Sequence, residues 1–139
     1  MAHDLDRFVA AQADSYDRAL AELRRGRKAS HWMWFVFPQI AGLGRSETAR
    51  FYAISGAAEA QAYLDHPLLG ARLIATTDAA VSANGSAEAI FGPIDAIKLR
   101  SSMTLFAAVA KDNGAFTAAL DRFFDGKPDP ATLAILGAG

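Results

Sequence analysis

The chain has 139 residues, 52% of them hydrophobic and 21% charged, a balance that suits one globular domain spanning 1–139 and excludes intrinsic disorder. Fourteen basic against fifteen acidic side chains leave a net charge of −1, without the positive surplus that nucleic-acid or anionic-membrane binding requires. The absence of cysteine excludes a disulfide framework, a thiolate metal site and a cysteine nucleophile.

Met1 to Arg7 carries Asp4 and Asp6 and lacks the basic-then-apolar order of a signal peptide. The longest strongly apolar run, Trp32 to Phe37, falls far short of the roughly 20 residues a spanning helix needs. The cytoplasm is the expected compartment. Alanine fills roughly a fifth of the chain, and runs of alternating β-branched residues are missing. Alanine loses no side-chain entropy in a helix, so the expected fold class is all-α: a compact multihelical bundle.

In chain order, Phe8, Val9, Tyr16, Ala19, Leu20 and Leu23 recur at helical spacing and predict one N-terminal helix. Asp4 is its expected N-cap, with Arg24 and Arg25 in the last turn before Gly26. Ser30 is positioned to cap a short helix through Phe37, which Pro38 stops. Gly42 and Gly44 mark a loop, and Ser46 caps a turn through Tyr52. A helix opened by Ser55 ends near Asp65. Pro67 restarts the chain into a helix that runs to the turn pair Asn84-Gly85. Ser86 to Phe91 is a short helical piece closed by Gly92-Pro93. The stretch 94–110 is apolar on more than one face, which predicts a central, nearly surrounded helix. Asp112-Asn113-Gly114 ends it, Phe116 to Phe124 forms the next helix, and Asp129-Pro130 starts the last.

Two stretches carry residues with chemical capacity. In the first, Ser30 to Gln39, six large apolar residues exceed what one stripe of a short helix can bury. Trp32 or Trp34 would stack on a planar ring, worth about 1–3 kcal/mol for a nucleobase. His31 would act as general acid–base or hydrogen-bond donor, and Gln39 would orient a ligand. The plainer alternative is a core helix wedged between two layers.

In the second stretch, Lys98, Ser101 and Ser102 lie within one helical turn. Adjacent serines inside a helix cost stability relative to alanine, and lysine beside hydroxyls suits a phosphate or carboxylate. Close helix packing with the hydroxyls bonded back to carbonyls is the alternative. Gly42 to Ser46 resembles a phosphate loop only loosely, although an anion at a helix start near Ser46 is physically reasonable. Arg24, Arg25, Arg27 and Lys28 form the one dense basic cluster and suit helix-dipole complementarity. His66 is expected to donate at a helix C-terminus. His3, His31 and His66 form no metal-ligand spacing, and no metal or cofactor is expected.

Three blocks, SHWMWFVFPQIAGLGRS, HPLLGARL and KLRSSMTLF, together with their spacings resemble the bacterial family of domain of unknown function 1810 over Phe8 to Leu136. That resemblance implies a compact, mainly α-helical domain and supplies no activity. The residues themselves suggest a pocket with His31 and Lys98 as catalytic candidates and Trp32, Trp34, Gln39, Ser46, Ser101 and Ser102 as ligand-binding candidates. The expected ligand is small, anionic and nucleotide-like, handled by a hydrolase, a transferase or a binding protein. The alternative is a non-catalytic module that docks a protein or a second copy of itself into a homo-oligomer through exposed aromatics.

Overall fold

The computed structural model describes residues 3–138. They form α1 (Asp6–Ala13), α2 (Tyr16–Arg24), α3 (Met33–Val36), α4 (Glu47–Phe51), α5 (Ala57–Asp65), α6 (Leu69–Ser82), α7 (Ala87–Phe91), α8 (Pro93–Val109), α9 (Gly114–Phe124) and α10 (Pro130–Ala138). The fold is all-α, as expected from the alanine content. An isolated parallel bridge between Ile40 and Ile54 ties the loop after α3 to the chain before α5.

The central helix is α8. Every residue from Ser101 to Phe106 is buried, and the helix packs against α5, α7, α9 and α10. Within that run Thr104 Oγ1 donates back to the Arg100 carbonyl at 2.8 Å. Phe106 touches Tyr63 and Phe116 at ring separations of 5.5 and 5.8 Å, joining α5 and α9 through the same helix.

Several local expectations are corrected. The N-terminal helix divides at Asp14-Ser15, and its halves serve different neighbours, α1 packing on α3 and α2 on α6. Leu5 rather than Asp4 stands at the N-cap of α1, and no side chain caps it. Gly56 rather than Ser55 precedes α5, and the Ser55 amide donates to Glu59 Oε1 at 2.8 Å. His66 does not donate at the end of α5. Its Nδ1 accepts from the Leu68 and Leu69 amides at 3.1 and 3.2 Å, so it caps the start of α6 instead. The expected caps at Ser46 and Asp129 are in place, and Ser86 caps α7 in the same way, each accepting from the amide three residues on.

The α5–α6 corner depends on a glycine. A Cβ built on Gly70 would lie 2.1 Å from the Leu64 carbonyl oxygen, so only a residue without one lets the two helices meet this closely.

Candidate functional site

The segment before α3 is folded around a buried carboxylate. Glu22, 2% exposed on α2, accepts from the Ala29 amide (2.7 Å), the Ser30 amide (2.9 Å), the Ser30 hydroxyl (2.6 Å) and Trp32 Nε1 (2.9 Å). Ser30 is therefore spent on Glu22 and does not open a helix, which is why α3 begins at Met33. Burial by itself raises the Glu22 pKa. The hydrogen bonds from Ser30, Ala29 and Trp32 reverse that effect and bring it down to about 2 from 4.5.

This arrangement decides the two tryptophans differently. Trp32 is fully buried and packs on Phe37 and Phe91, so its ring belongs to the core and offers no stacking face. Trp34 is half-buried, and the Lys98 ammonium lies 5.0 Å from its ring centre. Lys28 repeats the motif over Trp32 at 5.0 Å. Both lysines turn to one carboxylate: Asp95 Oδ2 is 2.9 Å from Lys28 Nζ, and Asp95 Oδ1 is 3.5 Å from Lys98 Nζ. Lys28 also donates to the Ser30 carbonyl at 2.6 Å. The segment before α3 and the start of α8 are thus joined by charge as well as by packing.

One turn along α8, Gln39 Nε2 donates to Ser101 Oγ at 2.6 Å. Beside this bond lies an open cleft of about 350 Å³. Gln39, Lys98 and Ser101 line it, together with Leu43 and Gly44 from the loop after α3. Ile94 and Ile97 of α8 and Asp129 and Ala131 at the start of α10 complete it. That volume lies within the usual range for small-molecule sites. Arg100 holds the chain before α10 against α8 by donating to the carbonyls of Lys127 and Pro128, and the Asp129 amide donates to Thr104 Oγ1 at 2.8 Å.

Of the expected site residues, the structure brings Gln39, Lys98 and Ser101 into one cleft, with Trp34 behind Lys98. It does not bring the others there. His31 is exposed and outside the lining. Ser46 is exposed, and its hydroxyl is occupied as the cap of α4. Ser102 is 0% exposed, and its hydroxyl finds no hydrogen-bond partner among the described residues. Arg24, Arg25 and Arg27 are exposed, whereas Lys28 turns inward to Asp95. Among the described residues, no group of three His, Asp or Glu side chains is placed to hold a metal ion. No described helix is long and apolar enough to cross a membrane.

Sequence reasoning missed Glu22, Asp95 and the cleft role of Asp129. A glutamate on an amphipathic helix reads as solvent-facing, and Asp129 reads as a cap alone. The usable signal for Asp95 was its three-residue spacing from Lys98, a helical ion-pair distance.

The structure is similar to the crystal structure of the conserved hypothetical protein Rv1873 from Mycobacterium tuberculosis, with 52% identity over 96% of each chain and a TM-score of 0.95. No curated protein matches the chain. The family described as "Protein of unknown function (DUF1810)" matches residues 2–136, nearly the whole length. The chain belongs to that family.

Proposed function

We propose that the cleft between the loop after α3 and helix α8 holds a small anionic ligand with a largely apolar body. The observation that carries this is Lys98 in the lining of a cleft also walled by Leu43, Ile94 and Ile97, its ammonium 3.5 Å from Asp95 and 5.0 Å from the Trp34 ring centre. The Asp95 carboxylate is closer to Lys28 than to Lys98, at 2.9 against 3.5 Å, so Lys98 keeps positive charge to offer a ligand. A carboxylate or phosphate would meet that ammonium in a partly desolvated corner, where charge-assisted hydrogen bonds are about twice as strong as neutral ones. Gln39 would orient the ligand beside it.

Binding without turnover is the form best supported. The Ser101 hydroxyl donates to the Lys98 carbonyl at 3.1 Å and accepts from Gln39, so it is not poised as a nucleophile activated by the lysine amine. His31 lies outside the cleft. The nucleotide-like form of the ligand is less well supported than the anionic one. Trp32 is in the core, and Lys98 sits over the Trp34 ring.

Thermal denaturation with a panel of short branched carboxylates and phosphate monoesters tests this. A ligand at a hundred times its dissociation constant adds about 2.7 kcal/mol of stability. The shift should appear in the native protein and vanish in Lys98→Met. An equal shift in the variant would contradict the proposal.

A second reading rests on Ile94 and Ile97, each 70% exposed and three residues apart on one face of α8. Such a face would suit a non-catalytic module that docks a protein or self-associates. Concentration-dependent sedimentation that disappears in Ile97→Ser would favour this over the small-molecule cleft.

A further inference from the structure

The cleft contains a second charge that a purely anionic ligand would not want. Asp129 lines it. Its Oδ2 accepts from the Thr132 amide at 3.1 Å and from the Thr132 hydroxyl at 2.6 Å, whereas Oδ1 makes no hydrogen bond among the described residues. Gln39 adds a second acceptor, and its orientation follows from the network. The Ser101 hydroxyl proton goes to the Lys98 carbonyl at 3.1 Å, so Ser101 Oγ must accept from Gln39, at 2.6 Å. The nitrogen of the Gln39 amide therefore faces Ser101, and its carbonyl oxygen has no partner among the described residues. The cleft thus offers one ammonium, two unused acceptors and apolar walls.

We infer that its ligand is a zwitterion with an apolar side chain, an amino acid or a dipeptide. Its carboxylate sits on Lys98, and its ammonium sits on Asp129 Oδ1 and the Gln39 carbonyl. This rests on the reading of the cleft as a ligand site and narrows the ligand class. The spacing agrees. The Asp129 amide bonds to Thr104 Oγ1, which itself leans back to the Arg100 carbonyl, so Asp129 lies beside the 100–104 turn of α8. That turn begins two and ends six residues past Lys98, about 3–9 Å of helix at 1.5 Å per residue. The lean of Lys98 toward Asp95 adds up to about 4.5 Å, the rise of three more residues. Two charge-assisted hydrogen bonds of about 2.8 Å take up some 5.6 Å of this. Up to about 8 Å remains, which covers the amine-to-carboxylate span of a single amino acid and of a dipeptide at about 3.5 Å per residue. A phosphate monoester would bring only negative charge to a cleft that already holds an aspartate.

The test is isothermal titration of the full chain with L-leucine, leucyl-leucine, 4-methylpentanoate and adenosine monophosphate. It is repeated with Asp129→Asn, which preserves a helix-capping acceptor, and with Lys98→Met; melting curves check that each variant folds. The better of the two zwitterions should bind at least tenfold tighter than 4-methylpentanoate. Asp129→Asn should erase that preference while leaving 4-methylpentanoate binding as tight or tighter, since it removes a like charge from the cleft, and Lys98→Met should abolish binding of both. If 4-methylpentanoate or adenosine monophosphate binds the native chain as tightly as the zwitterions, the zwitterion inference is overturned and the anion-binding cleft stands. If none of the four binds, both fail.

Discussion

Glu22 is a buried anion that, among the described residues, faces four donors and no cation within ion-pair distance. Its folded pKa of about 2 lies below the ordinary 4.5. The carboxylate therefore contributes its stability in full above pH 4.5 and loses it as pH falls from 4.5 through 2. At about 1.4 kcal/mol per unit, the contribution is on the order of 3 kcal/mol. Glu22→Gln puts an amide donor against a ring of donors. It should cost about 2–3 kcal/mol at pH 7 in urea unfolding, and it should make stability less sensitive to pH between 4.5 and 2. Some slope should survive from Glu59. Burial opposes ionisation there too, but the Arg7 hydrogen bonds and the Ser55 amide outweigh it and hold the pKa below 4.5. Ser102 presents the reverse case, a buried hydroxyl with nothing to bond among the described residues. Ser102→Ala should raise stability by about 1 kcal/mol, since it removes that group and improves helix propensity. A loss of stability would mean that the hydroxyl is satisfied after all. Neither environment was legible in the sequence. The partners of Glu22 lie seven to ten residues away across a loop, and the burial of Ser102 depends on which helices pack on α8.

At the scale of elements, the sequence was most informative where punctuation acts locally. Ser46, Ser86 and Asp129 announced their helices because each caps an amide only three residues away. At Ser30 the expectation failed because Glu22, eight residues earlier on α2, claimed the hydroxyl. Glycines at the two ends of the α5 region separate these cases experimentally. Gly70→Ala forces a methyl against the Leu64 carbonyl and should cost about 3 kcal/mol or more. A methyl on Gly56 meets nothing within 4 Å, so Gly56→Ala at this helix start should cost under about 1 kcal/mol. Thermal denaturation of the pair checks the corner. Equal costs would show that the α5–α6 approach is looser than described.

At the scale of the whole molecule, α8 is both the core's axis and one wall of the cleft. Its 101–106 run is buried from all sides, while Ile94 and Ile97 near its start are each 70% exposed. The first property was legible as an apolar stretch without a polar face. The second was not, because burial at the helix start depends on which loops happen to cover it. Phe106→Ala should therefore cost about 3–5 kcal/mol in unfolding free energy, whereas Ile97→Ala should cost little. Family membership accords with the helical class but leaves the site to be argued from its own geometry. The convergence of Gln39 with Lys98 and Ser101 was anticipated from two motifs some sixty residues apart. The exclusion of Trp32 was not, because an indole in a short apolar run gives no sign of which face it takes. The most direct check is a nitrogen-15 NMR titration of the native chain with L-leucine and 4-methylpentanoate. Saturable shifts clustered at Gln39, Gly44, Ile97, Lys98 and Ser101, absent in Lys98→Met, are the expected result. Shifts scattered over the surface, or clustered at this cleft but unchanged in Lys98→Met, would contradict a cleft organised around that lysine.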